Sequence, residues 1–401
     1  MTREEKRPEK LLNKEYIMFS LINLIVSISF AMVSTTISKY AYSIGTSVAV
    51  AGGIAGVFSI AAMVIRPFSG VLSDRMNRKT LLVVSTFAMG VCTLFYGFVT
   101  STWILFALRI LHGAAFCISS TVNMAMIPSF SPKDRVGEAV SYFGLGQTLA
   151  ILLGPTLGLY LAQAGGYVLN FGLAAGIVAI GGVVALLLDF QGTERTVQPE
   201  RRKRFHIRWR DIIAVESLLF AAINIALAAT SGVENSLMAL YGEAAGFGNI
   251  GWYFTLSAGV LFISRLAFGK MADKRGLSLA MYLGTGLMII GFLLMWNLSA
   301  IWVLAVAAMI KTVGAGIVRP ALQAECLKTV TPDRRGAASS TFYIGSDIGQ
   351  GFSPWLAGGI VDSSGGNYGM AFGLLALPLA ISAALFALFY RKRNRAVSQK
   401  A

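Results

Sequence analysis

RPFSGVLSDRMNRK (66–79) and RLAFGKMADKRG (265–276) are two versions of one segment, 199 residues apart. In that register Arg66 stands over Arg265, Gly70 over Gly269, Asp74 over Asp273 and Arg75 over Lys274. The same offset carries Phe143 to Phe342, Gly146 to Gly345 and Pro155 to Pro354. One offset kept over so much of a 401-residue chain points to a duplicated half.

Composition decides what kind of half this is. Hydrophobic residues make up 55% of the chain and charged residues 13%, with mean hydropathy +0.67. A soluble domain carries about 25% charged residues, so this chain lacks the polar surface that a soluble fold needs. Its apolar residues come in long runs, such as 16–41, 48–65, 81–99, 103–127 and 167–188. A helical membrane span needs roughly 20 of them. The expectation is an all-α polytopic membrane protein with twelve spans: 16–42, 47–69, 80–99, 102–127, 138–163 and 167–190, then 211–240, 247–269, 278–297, 300–328, 336–362 and 367–390.

The net charge of +15 does not indicate nucleic acid, because its placement is topological. Arg and Lys crowd the first 15 residues, then 75–79, 133–135, 201–210, 270–275, 328–335 and 391–400. The alternate connections 99–102, 164–166, 297–300 and 362–367 hold no Lys or Arg. This is positive-inside asymmetry. It places both termini and the basic connections in the cytoplasm, against anionic lipid headgroups. Cys92, Cys117 and Cys326 fall in apolar runs, so no disulfide is expected. The charged N-terminus is no cleavable signal peptide.

These features divide the chain into a cytoplasmic N-terminal segment (1–15), a six-helix bundle (16–190), a cytoplasmic linker (191–210), a second bundle (211–390) and a basic tail (391–401). Six spans between equivalent points make the copies parallel repeats, related by a pseudo-twofold axis along the membrane normal. Rocking such halves about a midplane site gives alternating access.

GVLSDRMNRK, from Gly70 to Lys79, resembles the signature loop of the major facilitator superfamily, G-x-L-x-D-R-x-G-R-[RK]. Asn77 replaces the second Gly. The weaker copy GKMADKRG, from Gly269, is also typical. Arg109 and Gly113 resemble the R-x-x-x-G element of the fourth span. GPTLG, from Gly154 through Pro155 to Gly158, is similar to the core of the antiporter motif of the fifth span. Ala150 and Leu159 depart from that motif. Gly and Pro there suit a close helix crossing and a bend, a candidate gate. The resemblance is strongest to the twelve-span drug:proton antiporter and metabolite-efflux branch. It implies a cavity lined by spans 1, 4, 7 and 10. It also implies a cytoplasmic latch, for which the candidates are Gly70, Asp74, Arg75, Arg78, Gly269, Asp273, Lys274 and Glu325. Gly70 there would let helix ends approach closely, and Glu325 lies within reach of Arg265 or Lys274.

Ionisable residues at membrane depth cost about 2.5–3.5 kcal/mol each near the helix centre and mark function. Arg109 either organises protonation of a neighbouring carboxylate or anchors helix packing. His112, on the same face, is a packing residue or a proton relay. Lys311 stands 199 residues after His112, and together they suggest a site for an anionic or zwitterionic group. Asn23 and Asn224 complete the candidate cavity set. Arg319 either lines the inner vestibule or snorkels to the headgroups, with snorkelling favoured. Glu216 is expected to meet Arg208 or Arg210. Asp347 and Glu234 are the candidate proton-coupling acids. Asp347, opposite Thr148 in the repeat register, is a proton carrier or a hydrogen-bonded protonated acid. Glu234, opposite Thr35, lines the outer cavity or is solvated at its mouth. The first span offers Asn23, Ser27, Ser29, Ser34, Thr35 and Thr36 but no acid, which excludes the first-span carboxylate of many drug:proton antiporters.

The expected function is secondary active export of a small organic molecule by proton antiport, from the plasma membrane. The proton gradient is the energy source, and no cofactor, metal or nucleic-acid partner is implied. A monomer is expected. A proton-coupled importer or a uniporter is the alternative within transport, and a receptor or scaffold the alternative outside it. An intramembrane enzyme would need a nucleophile–base pair or a metal cluster. Two His residues and no carboxylate–His cluster argue against it.

Overall fold

The computed structural model describes residues 11–127, 130–132, 135–188, 213–268, 271, 275–331 and 334–398. All regular structure among them is helical. The elements are α1 (Lys14–Ser43), α2 (Val48–Arg75), α3 (Arg78–Tyr96), α4 (Thr102–Met126), α5 (Val136–Leu187), α6 (Leu218–Ala244) and α7 (Gly251–Phe268). They continue with α8 (Leu277–Leu294), α9 (Ile301–Lys328), α10 (Arg335–Ser363), α11 (Tyr368–Gly373) and α12 (Ala376–Ser398).

Among the described residues, ten helices are long and apolar enough to cross a membrane. Two departures from the expected spans have plain causes. α5 runs for 52 residues and holds two helical limbs, joined at Gly166 with φ 79°. That left-handed conformation favours glycine, and it breaks the helix at the expected non-basic connection. α10 has 29 residues but falls outside the ten, because Asp347, Asp362 and many small polar residues dilute its apolar content.

α2 runs past its expected end at residue 69 to Arg75. Gly70 therefore lies inside a helix, and a Cβ built there meets no atom within 4 Å. The close approach expected at Gly70 is not made among the described residues. Asn77, where the family signature has Gly, caps α3 by accepting the Thr80 N–H at 3.1 Å.

Packing divides the chain into two units, one of Met1–Ile44 and Val57–His206, the other of Gly45–Gly56 and Ile207–Ala401. In the first unit α1 crosses the first limb of α5 with almost no side chain between. A Cβ at Gly154 would stand 2.5 Å from the Ala31 Cβ, and one at Gly158 would stand 2.7 Å from the Met32 carbonyl oxygen. This is the close crossing expected of the Gly154–Gly158 segment. Polar bonds hold it in register: Tyr16 donates to the Ala139 carbonyl at 2.6 Å, and Asn23 to that of Phe143 at 3.2 Å. The second limb is tied by Asn170, which donates to the Thr36 hydroxyl at 2.9 Å. Tyr40 packs on Tyr167 and Phe171 and donates to the Val99 carbonyl at 3.0 Å.

In the second unit α6 packs on α10. Asn224 donates to the Phe342 carbonyl at 2.9 Å, and Ser353 to that of Ala229 at 2.9 Å. Tyr241 packs on Tyr368 and Phe372 and donates to the Met295 carbonyl at 2.7 Å. The Asp362 carboxylate accepts the N–H groups of Val48 at 3.1 Å and Ala49 at 2.9 Å, which caps the opening turn of α2. The three cysteines are buried thiols. The linker 191–210 lies outside the described residues.

The crossing predicts a contrast between two glycines. Gly158→Leu must push α1 from α5 and lowers stability by about 1–3 kcal/mol. Gly70→Leu meets open space and changes it by less than about 0.5 kcal/mol from packing, apart from helix propensity. Thermal midpoints of the two detergent-purified variants, read by tryptophan fluorescence, check this.

Candidate functional site

Two charged clusters lie inside the units, one in each. In the first unit, α4 carries Arg109 and His112 one turn apart, both about 1% exposed. The guanidinium carbon of Arg109 sits 4.6 Å from the centre of the Phe58 ring, a cation–π contact. The His112 Nδ1 lies 3.0 Å from the Tyr96 hydroxyl, and Phe58 meets the imidazole edge-on. Tyr96 of α3, which the sequence reading does not single out, is thus the polar partner of His112.

In the second unit, Glu234 of α6 and Lys311 of α9 form a buried ion pair. Their residue exposures are 8% and 7%. The same carboxylate oxygen, Oε1, accepts the Tyr253 hydroxyl from α7 at 2.7 Å, and the Lys311 ammonium stands 5.2 Å from the centre of the Tyr253 ring. Gly291 of α8 makes room for the lysine, since a Cβ there would lie 2.5 Å from that of Lys311. Four helices therefore set one carboxylate. Burial is what makes the arrangement matter: a lone charge at this depth is costly, and pairing it with an opposite charge and a hydroxyl removes most of that cost.

This placement answers one open reading. Glu234 is not solvated; it is buried and paired. Lys311 has Glu234 for its partner and His112 has Tyr96, so each belongs to its own cluster. Asn23 and Asn224, expected to line a cavity, spend their amide donors on the carbonyls of Phe143 and Phe342. Asp347 is buried in α10 at 8% exposure. Phe116 of α4 stacks on Phe30 with ring centres 4.7 Å apart.

Arg319 overturns the favoured snorkelling reading. It reaches inward, and its Nη2 donates to the Leu227 carbonyl at 2.6 Å, to Ser231 Oγ at 2.7 Å and to Thr230 Oγ1 at 3.4 Å, all on α6. The α6 carbonyl and hydroxyl oxygens within its reach take the place that headgroups would have. Glu216 pairs with Arg334 at 2.6 Å, while Arg208 and Arg210 lie outside the described residues. Of the latch candidates, Gly269, Asp273 and Lys274 lie outside them too. Asp74 belongs to the last turn of α2 and Arg75 is exposed. Arg78 donates to the carbonyls of Ser73 at 3.1 Å and Ala125 at 3.4 Å, tying the α2–α3 corner to the end of α4. Glu325 lies 3.7 Å from Lys328, one turn along α9. Tyr253, Thr230 and Ser231 escape sequence reading because a hydroxyl in an apolar helix carries no signal until its partner is known.

The ion pair predicts a coupling in stability. Lys311→Met strands the carboxylate and costs about 3–5 kcal/mol. Adding Glu234→Gln restores most of that loss, so the double variant melts above the Lys311→Met single variant. A thermal double-mutant cycle in detergent measures it.

Comparison with known proteins agrees with this architecture. The profile described as Major Facilitator Superfamily matches residues 19–276 and 235–401. An uncharacterized MFS-type transporter of Methanocaldococcus jannaschii is 23% identical over 347 residues, covering 84% of this chain and 89% of its own. Multidrug resistance protein MdtG of Proteus mirabilis is 28% identical over 320 residues, covering 76% of each chain. Among solved structures, the nucleoside transporter NupG superposes with a TM-score of 0.74 at 13% identity, covering 94% of this chain and 99% of that one. A bacterial homolog of the human lysosomal transporter Spinster, inward-facing and unoccupied, gives 0.77 at 16% identity, covering 96% and 98%. The chain belongs to the Major Facilitator Superfamily.

Proposed function

We propose that this protein exports a small organic molecule across the plasma membrane in exchange for protons, with Glu234 as the titrating group. The observation that carries the reading is the Glu234–Lys311 pair with Tyr253 on the same carboxylate oxygen. As it stands the pair is neutral. A proton on Glu234 adds one positive charge, and so does a cationic group drawn to the carboxylate. Both at once would place two uncompensated charges in a medium of low dielectric. The proton and such a group therefore exclude each other, which is the requirement for exchange. Arg109 and His112 supply fixed polarity in the first unit, and Asp347 is a second acid for coupling. Export is supported by the relative named as a multidrug resistance protein; the likeness to NupG concerns the fold.

The same reading takes the chain as twelve spans in two parallel repeats, with both termini cytoplasmic. The ten apolar helices become twelve when α5 is counted as two limbs and α10 is added. Matched bonds support the duplication: Asn23 and Asn224 donate to Phe143 and Phe342, and Tyr40 and Tyr241 pack on Tyr167 with Phe171 and on Tyr368 with Phe372. Asn23 and Asn224 are 201 residues apart, whereas Phe143 and Phe342 are 199 apart. Tyr167 and Tyr368, like Phe171 and Phe372, are also 201 apart, so on this reading the first, sixth, seventh and twelfth spans run two residues off the 199-residue register and Val33 is the counterpart of Glu234.

Everted membrane vesicles, acidified inside by respiration and followed with a pH-sensitive dye, test the exchange. Added candidate compounds that are substrates enter the vesicles as protons leave, and the gradient partly collapses. Glu234→Gln abolishes that collapse. Full exchange by Glu234→Gln, or transport that leaves the gradient untouched, would sink the reading.

A further inference from the structure

Glu234 and Lys311 satisfy each other, which leaves one cation of the α6–α9 seam without a carboxylate. Arg319 lies eight residues beyond Lys311 on α9, about 12 Å along the axis. All three of its hydrogen-bond partners are neutral, and all three use Nη2: the Leu227 carbonyl and the hydroxyls of Ser231 and Thr230. No carboxylate pairs with it among the described residues. Its Nε is buried and has no hydrogen-bond partner. A buried N–H donor on a full positive charge, left unmatched, marks a place where a further group belongs. Of the hydroxyls beside it, Thr230 already donates to the Leu227 carbonyl at 2.8 Å, whereas Ser231 can donate to the same group, and Arg suits the two oxygens of a carboxylate or phosphate.

The α6 side of the seam sets the distance to the other pole. Ser231 precedes Glu234 by three residues, about 4.5 Å along the helix. Lys311 and Tyr253 both reach Oε1 of Glu234. The seam thus presents the Glu234 carboxylate and, held by α6 residues about one turn before it, a cation with an unmatched buried Nε. An anionic group alone would draw a proton onto Glu234 rather than replace it. An amphoteric molecule avoids this, because its amine competes with the proton while its anionic end is held elsewhere.

We propose that Arg319, with Ser231, binds a carboxylate or phosphate of the substrate, and that the substrate is amphoteric, its amine facing Glu234. This rests on the exchange reading of Glu234 but is read by binding alone, without a gradient. The test uses three matched probes at millimolar concentration: 4-(aminomethyl)benzoate, benzylamine and 4-methylbenzoate. Tryptophan fluorescence of the detergent-purified, full-length protein follows binding.

The expected result is that 4-(aminomethyl)benzoate binds more tightly than either single-charge probe. Arg319→Gln then lowers its affinity at least about tenfold and leaves benzylamine unchanged. Ser231→Ala, which removes one flanking hydroxyl and keeps the guanidinium, produces a smaller loss for the same probe only. A general loss of folding would move all three probes together, so the difference between probes is the readout. Equal responses in wild type and Arg319→Gln, an equal loss for benzylamine, or no binding of the amphoteric probe would each overturn the proposal. Dye-detected proton exchange that persists in any of these cases leaves the role of Glu234 standing.

Discussion

Charge buried in an apolar medium must be neutralised nearby, and the second unit is organised around one such neutralisation. Glu234, Lys311 and Tyr253 come from three helices, and Gly291 on a fourth makes the lysine fit. Separately each charge is a liability; together they form a neutral, hydrogen-bonded unit. The unit is also responsive, because one added proton changes its charge by a full step in surroundings that screen poorly. The first unit solves its version of the problem differently. Arg109 rests on the face of an aromatic ring, and His112 shares a bond with a tyrosine. One unit therefore holds a pair whose balance a proton can upset, and the other a cation cushioned by aromatic rings.

Much of the fold was legible in the chain because membrane spans obey coarse rules. Length, apolar runs and alternating basic connections locate helices without any knowledge of contacts, and the Gly166 break falls at an expected non-basic connection. Gly154 and Gly158 were readable for a similar reason: a glycine pair beside a proline in a long apolar helix has few other uses. Gly70 shows the limit. Its signature context suggested a helix end, yet nothing between Pro67 and Met76 stops α2, and the cap on the next helix comes from Asn77.

The site was legible in its members more than in its wiring. Arg109, His112, Glu234, Lys311 and Asp347 stand out because charge is rare in apolar sequence, and all five are buried. Which charge meets which was not readable. Lys311 faces Glu234, 77 residues earlier in the chain, and His112 faces Tyr96. Arg319 was misread because sequence shows the length of its side chain but not the α6 acceptors it reaches.

The spacing of the Glu234 cluster along the chain has a consequence for how the protein is made. Tyr253 follows Glu234 by 19 residues and Lys311 follows it by 77. As the chain grows from the ribosome, the carboxylate reaches the bilayer long before its lysine exists. The tyrosine hydroxyl, one helix later, is the earliest of the two partners available to it. Glu234 therefore waits on its cation, and the ion pair closes only when α9 arrives. The finished cluster thus records an order of assembly, with a hydroxyl standing in for a charge until synthesis supplies it.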